Sequence, residues 1–177
     1  MSLMKRIQSI WKSQRPEPAV IADQPFEDAS VGDIAGVDLG EYVVTGKVVY
    51  FDRGFAPHRF GYYLKDGKDF AFLIVEKGRS YECFMCRFVE GALDDPNDVP
   101  TRLEVDGEVT YELEHHRKDV TRTEGQTDFR SGDDVMFWRY FAHNDRFFFL
   151  HWQDGKFVAA QGEQIPANDV RFMKASR

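Results

Sequence analysis

From residue 31 onward, the chain alternates apolar and polar positions with a period of two, and turn residues interrupt this alternation at short intervals. Such a pattern is typical of half-buried β-strands joined by tight turns. It predicts strands at 41–51, 59–65, 69–76, 80–89, 102–105, 109–115, 134–143, 146–153 and 156–160. Asp-Gly pairs at 66–67, 106–107 and 154–155 favour hairpins, because these residues adopt the positive φ angles that two-residue turns require.

Three stretches depart from this alternation. Residues 90–100 are acidic and contain two prolines, and residues 118–130 are predominantly polar, so we predict a loop in each place. Residues 165–173 are expected to form a turn and then a closing strand or a short 3₁₀ segment.

The first 27 residues have a different character. Apolar side chains at positions 3, 7, 10 and 11 follow helical spacing, and Lys5, Arg6, Lys12 and Arg15 accompany them without an acidic residue. We therefore predict a basic amphipathic helix and a linker over residues 1–27, followed by one β domain over 28–177. The helix either docks on the body or on a partner subunit, or contacts an anionic membrane surface through residues 1–15.

The chain also contains a weak internal repeat. Residues 60–79 align without a gap on residues 137–156, with identical residues at six positions, among them Phe60 and Phe137. Each copy has the pattern of a strand, a turn, a second strand and another turn. In both copies the second strand is apolar on both faces, so we expect it to lie centrally and to be covered on each side.

These patterns together predict an all-β fold. Two duplicated meander halves would form a barrel or a sandwich, with the short N-terminal helix beside them. A content of 15% aromatic residues, with sixteen phenylalanines, suits a β-rich core.

Charge and cysteine content narrow the function classes. The net charge is −7 in total, and the residues after Arg15 are more acidic still, which argues against binding to nucleic acid. Cys83 and Cys86 form an isolated CxxC motif, and positions three apart on a strand point to opposite faces. We therefore expect buried thiols, a cytoplasmic location, and neither a metal nor another cofactor.

The second copy of the repeat carries the candidate ligand-binding residues. A barrel that holds a small ligand in its mouth would use the polar and aromatic side chains concentrated there. His151 stands where the aligned first copy has Ile74, which makes it the unusual residue of the repeat. The candidates are Trp138, Arg139, Tyr140, His151 and Trp152.

Several short motifs occur in a distinctive order over about residues 28–172. They are Val31-Gly32-Asp33, the alternation from Tyr42 to Tyr50, Asp106-Gly107 before Tyr111, Ser131-Gly132-Asp133 before Trp138 and Tyr140, and Gly162-Glu163 before Ile165-Pro166. In this order they resemble a bacterial domain-of-unknown-function family, the one numbered forty-one seventy-eight. The resemblance implies no catalytic residues, and it implies a setting near bacterial membrane-stress functions.

The sequence favours a non-catalytic binding or scaffolding module, with a protein partner or a second copy of the chain, in the cytoplasm or at the inner membrane surface. A β-barrel that binds a small ligand is the alternative, and a hydrolase is a third hypothesis. No nucleophile set, metal set or phosphate-binding loop accompanies the repeat.

Overall fold

Twelve antiparallel strands form one sheet in the computed structural model, which describes residues 23–91 and 93–176. The strands are β1 (Asp23–Gln24), β2 (Ile34–Val37), β3 (Gly40–Phe51), β4 (Pro57–Asp66), β5 (Asp69–Lys77), β6 (Tyr81–Val89), β7 (Arg102–Val105), β8 (Val109–Gly125), β9 (Asp134–Ala142), β10 (Arg146–Gln153), β11 (Lys156–Ile165) and β12 (Val170–Met173). Two short 3₁₀ turns, Pro96–Asp98 and Ala167–Asp169, complete the regular structure. The all-β prediction is confirmed.

Eight of the strands close into a ring. The order around it is β3-β4-β5-β6-β11-β10-β9-β8, and the pairing of Gly46 to Phe51 with Val120 to Gly125 joins β8 back to β3. Following paired residues around the ring from Gly46 leads to Glu112 on β8, far from its direct partner Gly125. Such a displacement is the shear that a closed ring of tilted strands requires.

Two equivalent five-stranded halves build this sheet. Strands β2 to β6 form one half and β7 to β11 the other, and the halves meet at the β6–β11 and β3–β8 pairings. Each half carries an irregularity in its second strand, at Thr45 in β3 and at Glu114 in β8. The duplication therefore covers five strands on each side and extends well beyond the repeated segment in the sequence.

The gapless alignment of the two repeat copies is wrong by one residue in its first strand. The β4–β5 turn has two residues between the paired Asp66 and Asp69, whereas the β9–β10 turn has three residues between the paired Ala142 and Arg146. The extra residue shifts β9 by one position, which exchanges its faces. Phe60 consequently packs on the outer face of the ring, while Phe137 packs inside it.

Aromatic side chains fill much of the ring interior. Phe72, Phe84, Phe147 and Phe149 pack together there, with ring centroids of Phe84 and Phe147 only 4.7 Å apart. The predicted separation of faces is confirmed on β10, because Phe147 and Phe149 point inward while Phe148 and Leu150 point outward.

Each half also has a covered outer face. In the first half, β2, β12 and residues 25–30 pack over β4 and β5, and Lys47 Nζ donates hydrogen bonds to the carbonyl oxygens of Glu27 and Ala29 at 2.6 and 2.7 Å. In the second half, Leu93, Val99 and β7 pack over β9 and β10. Both faces of the central strands are therefore buried, as their sequences indicated.

The predicted loop over residues 118–130 is wrong in its first part. Strand β8 continues to Gly125 because it must pair with β9 and then with β3 to close the ring. Two buried positions of this part of β8 carry the polar residues Asp119 and Thr121, so the sequence lacks the apolar alternation by which a strand is recognised. The predicted amphipathic helix lies within residues 1–22, outside the described part of the chain.

Candidate partner-binding groove

The ring separates the five candidate residues into two groups. Arg139 and His151 point into the ring, whereas Trp138, Tyr140 and Trp152 belong to the outer-face cluster of the second half. No common pocket joins the two groups among the described residues, because the sheet itself lies between them.

A network of ion pairs occupies one end of the ring interior. Arg59 is almost fully buried, and it donates to Glu76 Oε1 at 3.0 Å and to Asp119 Oδ2 at 3.2 Å, with its guanidinium 3.4 Å from the centroid of the Phe137 ring. Arg139 donates to the other oxygen of Glu76 at 2.6 Å. The Nε of Arg139 lies 2.9 Å from a Glu114 oxygen, but its N–H is not directed at any acceptor in the described structure.

The protonation states of this interior are fixed by burial and by neighbouring charges. Burial opposes ionisation of Asp119 most strongly, yet the hydrogen bond with His58 and the charges of His58, Arg59 and Arg117 together lower the pKa of Asp119. Burial and, next, the charge of Arg59 lower the pKa of His151 to about 3.

A neutral His151 fits its two hydrogen bonds. Its Nδ1 donates to the carbonyl oxygen of Val158 at 3.4 Å, which leaves Nε2 to accept from the Tyr50 hydroxyl at 3.1 Å. Because the imidazole is fully enclosed and both nitrogens have partners, His151 is held as a structural residue of the core.

The two cysteines are free thiols, buried on opposite faces of β6. Burial raises the pKa of Cys83 to about 12, and it raises the pKa of Cys86 as well. A protonated thiol is a poor nucleophile and a poor metal ligand. Within residues 23–91 and 93–176, no three His, Cys, Asp or Glu side chains are grouped so as to hold a metal ion.

The outer face of the second half contains an open groove of about 790 Å³. Its apolar floor comes from β10 and β11, and residues 88–91, Leu93 and β7 form its sides. The apolar lining residues include Leu93, Leu103, Val105, Phe148, Leu150 and Phe157. Four carboxylates, those of Glu90, Glu104, Asp106 and Asp128, also line it, together with one lysine, Lys156.

One side of this groove is a sheet edge. Strand β7 pairs with β8 only, and in the described structure no backbone hydrogen bond joins its other edge to a neighbouring segment. The Leu113 amide donates to the Thr101 carbonyl at 2.8 Å, so by antiparallel alternation the backbone groups of Arg102 and Glu104 point away from β8. The groove therefore presents unpaired amide and carbonyl groups beside an apolar floor.

Comparison with known proteins places the chain in a family. The model of the family described as Domain of unknown function (DUF4178) matches residues 30–167. The chain belongs to the DUF4178 family. A search of the curated proteins and a search of the solved structures found no match to this chain. The matched region includes all strands of the ring and the whole groove, so the groove is a feature of the DUF4178 domain of this chain.

The groove could not be predicted from the periodicity of the sequence. It exists because the segment after β6 contains Pro96, Pro100 and several aspartates, which disfavour a strand, and therefore leaves the edge of β7 open. The composition of that segment predicted a loop, but the residues beside it in space come from β7, β10 and β11.

Among the described residues, no helical segment has the length and apolar character needed to cross a membrane.

Proposed function

We propose that this protein is a non-catalytic binding module, and that its partner is another polypeptide seated in the groove beside β7. The carrying observation is the combination of an apolar floor with an unpaired strand edge in one open groove. Unpaired strand edges bind polypeptide main chain readily, and natural proteins normally cover or blunt them.

The ring interior supports the same conclusion. The groups that could perform chemistry there, Arg59, Glu76, Asp119 and His151, bind one another or neighbouring core residues and lie among packed aromatic rings. A small ligand in the mouth of the ring would have to displace ion pairs that compensate buried charges, at a cost of several kcal/mol. The open outer groove needs no such displacement.

A cytoplasmic setting is part of the proposal. Cys83 and Cys86 are free and point to opposite faces of β6, and a reducing compartment suits free thiols. A polypeptide partner encountered there would meet the groove directly, because Glu90 and Glu104 on its sides are exposed to solvent.

Site-specific photo-crosslinking in the native host tests this function. The photoreactive residue p-benzoylphenylalanine is placed at Glu90 or at Glu104, and in the control at Arg171, an exposed position on β12. We expect both groove positions to crosslink to the same polypeptide, and an excess of unlabelled protein to suppress that product.

Two results would contradict the proposed function. One is an equal yield of the same product from Arg171, which would show that the contact is not located at the groove. The other is the absence of polypeptide products from both groove positions.

A further inference from the structure

The two halves of the sheet differ in what covers the edge of their first strand. In the first half, β12 pairs with the outer edge of β2, with Val170 opposite Val37 and Phe172 opposite Ala35. In the second half, β7 is the counterpart of β2, because each strand forms a hairpin with the beginning of the long strand that follows it. No described segment pairs with the outer edge of β7.

The position that corresponds to β12 in the second half is the groove. Strand β12 follows β11, so its counterpart is the segment that follows β6, residues 90–101. The described residues of that segment, 90–91 and 93–101, form only the short turn Pro96–Asp98 and make no backbone hydrogen bond to β7. The groove of about 790 Å³ lies between the beginning of this segment and β7.

We propose that the partner adds an extended segment to β7, antiparallel to it, in the way that β12 adds to β2. This inference rests on the proposed function and specifies the chemistry of the partner. Every second residue of the added segment is apolar and points into the groove, and the intervening residues are basic.

The apolar periodicity follows from the occupied edge. Val170 and Phe172 of β12 are buried over the first half, whereas Arg171 between them is exposed. On β7, Leu103 and Val105 face the cluster beneath the groove, and Arg102 and Glu104 are exposed. Residues of an added strand opposite Leu103 and Val105 would share their face and contact the floor formed by Phe148, Leu150 and Phe157.

The preference for basic residues follows from the charges around the groove. Four carboxylates line it against one lysine, and Lys156 already lies 3.6 Å from Asp128. Asp94, Asp95 and Asp98 add three more acids in the adjacent segment. A basic segment gains from this field, whereas an acidic segment of the same shape is repelled.

Fluorescence anisotropy with synthetic peptides tests the proposal on the full chain. The probe is the labelled peptide Lys-Val-Arg-Phe-Lys-Val-Lys, and the charge control replaces its basic residues by glutamate. A third peptide carries backbone N-methyl groups on the two central basic residues, and a fourth carries them on the two valines. The first pair of amides faces β7 in the proposed pairing, and the second pair faces away.

We expect saturable binding of the basic peptide that weakens with added salt, and binding at least about tenfold weaker for the acidic one. N-methylation of the amides that face β7 should weaken binding by about tenfold or more, whereas N-methylation of the others should leave it nearly unchanged.

Two substitutions of Glu104 separate the contribution of its backbone amide to peptide binding from the contribution of its charge. Glu104→Pro removes an amide that points away from β8, so it should leave the melting temperature close to that of the wild type. It should weaken binding of the basic peptide by about tenfold. Glu104→Gln removes only the charge of the side chain and should weaken binding of the basic peptide less than the proline substitution does. Slower hydrogen exchange at Arg102 and Glu104 in the complex would place the peptide on this edge.

Strand addition is overturned if the basic peptide does not bind saturably, if both N-methylated peptides bind equally, or if the proline and glutamine variants behave alike. The proposed function fails separately, because it requires the crosslinks from Glu90 and Glu104. If these crosslinks persist while the peptide results are negative, a polypeptide occupies the groove in another manner.

Discussion

At the scale of single residues, the ring interior combines aromatic packing with a few buried charges that are paired with one another. Arg59 has two carboxylate partners, and Asp119 has three cationic or hydrogen-bonding neighbours in His58, Arg59 and Arg117. Such a network adds little stability compared with an apolar core, but removing one member leaves its partners buried without compensation.

Arg59→Met should therefore be strongly destabilising. We expect a loss of about 3–5 kcal/mol in the free energy of unfolding, because Asp119 and Glu76 lose a buried partner. The control is Arg53→Met, which breaks the 3.0 Å pair with Asp134 from a side chain that is 77% exposed and should cost less than about 1 kcal/mol. Urea unfolding followed by tryptophan fluorescence measures both, and equal losses would contradict the assignment of Arg59 to a buried network.

His151 predicts a specific dependence of stability on pH. Its pKa is lowered to about 3 in the folded protein, so between that value and the ordinary 6.5 the unfolded chain binds the extra proton. The free energy of unfolding should then fall as the pH falls from 6.5 towards 3, by several kcal/mol for this group. The pKa of Asp119 is lowered from 3.8, so the stability that this carboxylate provides is lost only at the acidic end of this range.

The variant His151→Ile isolates the contribution of His151 to the pH dependence of stability. Isoleucine is chosen because the first half has Ile74 at the equivalent position of β5. At pH 7 it should be less stable by about 1–3 kcal/mol, because the Tyr50 hydroxyl loses its acceptor. Between pH 6.5 and 4 its stability should vary less than that of the wild type. Parallel pH profiles for the two proteins would contradict the buried neutral histidine.

At the scale of elements, close contacts between strands hold the two halves together. Gly162 lies on β11 beside β6, and a Cβ at this position would lie 2.0 Å from the carbonyl oxygen of Met85 and 2.7 Å from the Cα of Cys86. Both neighbouring atoms belong to the backbone, so only a shift of the pairing between the halves could accommodate a side chain.

Gly162→Ala should accordingly destabilise the protein by about 3 kcal/mol. The control is Gly78→Ala in the β5–β6 turn, where the nearest contact, the Ser80 carbonyl oxygen, lies at an ordinary 3.6 Å. Thermal unfolding of the two variants gives the comparison. A Gly162 variant as stable as the Gly78 variant would show that the β6–β11 pairing is looser than described.

The elements also show where the sequence was informative. Period-two alternation and Asp-Gly turns identified the hairpins, because each of these signals is local. The extra residue in the turn at 143–145 was concealed, since phenylalanines and tyrosines on both faces of the strands allow a gapless alignment in either register. The end of β8 was missed because its buried side chains, Asp119 and Thr121, form polar contacts inside the fold.

At the scale of the whole molecule, duplication explains both the ring and the groove. Two five-stranded halves pair at both seams and leave one edge strand on each side, β2 and β7. The chain continues past β11 into β12 and covers the first edge, whereas the proline-containing segment after β6 does not cover the second. The internal repeat in the sequence predicted duplicated halves, but this asymmetry depends on pairings between distant strands, which local patterns do not reveal.

Amide hydrogen exchange at these two equivalent edges tests the account most directly. In the free protein, we predict slow exchange at Gly36, whose backbone faces β12, and fast exchange at Arg102 and Glu104, whose backbone groups face the groove. Binding of the basic peptide should slow exchange at Arg102 and Glu104 and leave Gly36 unchanged. Equally slow exchange at both edges in the free protein, or no change on binding, would contradict an open β7 edge that receives a partner strand.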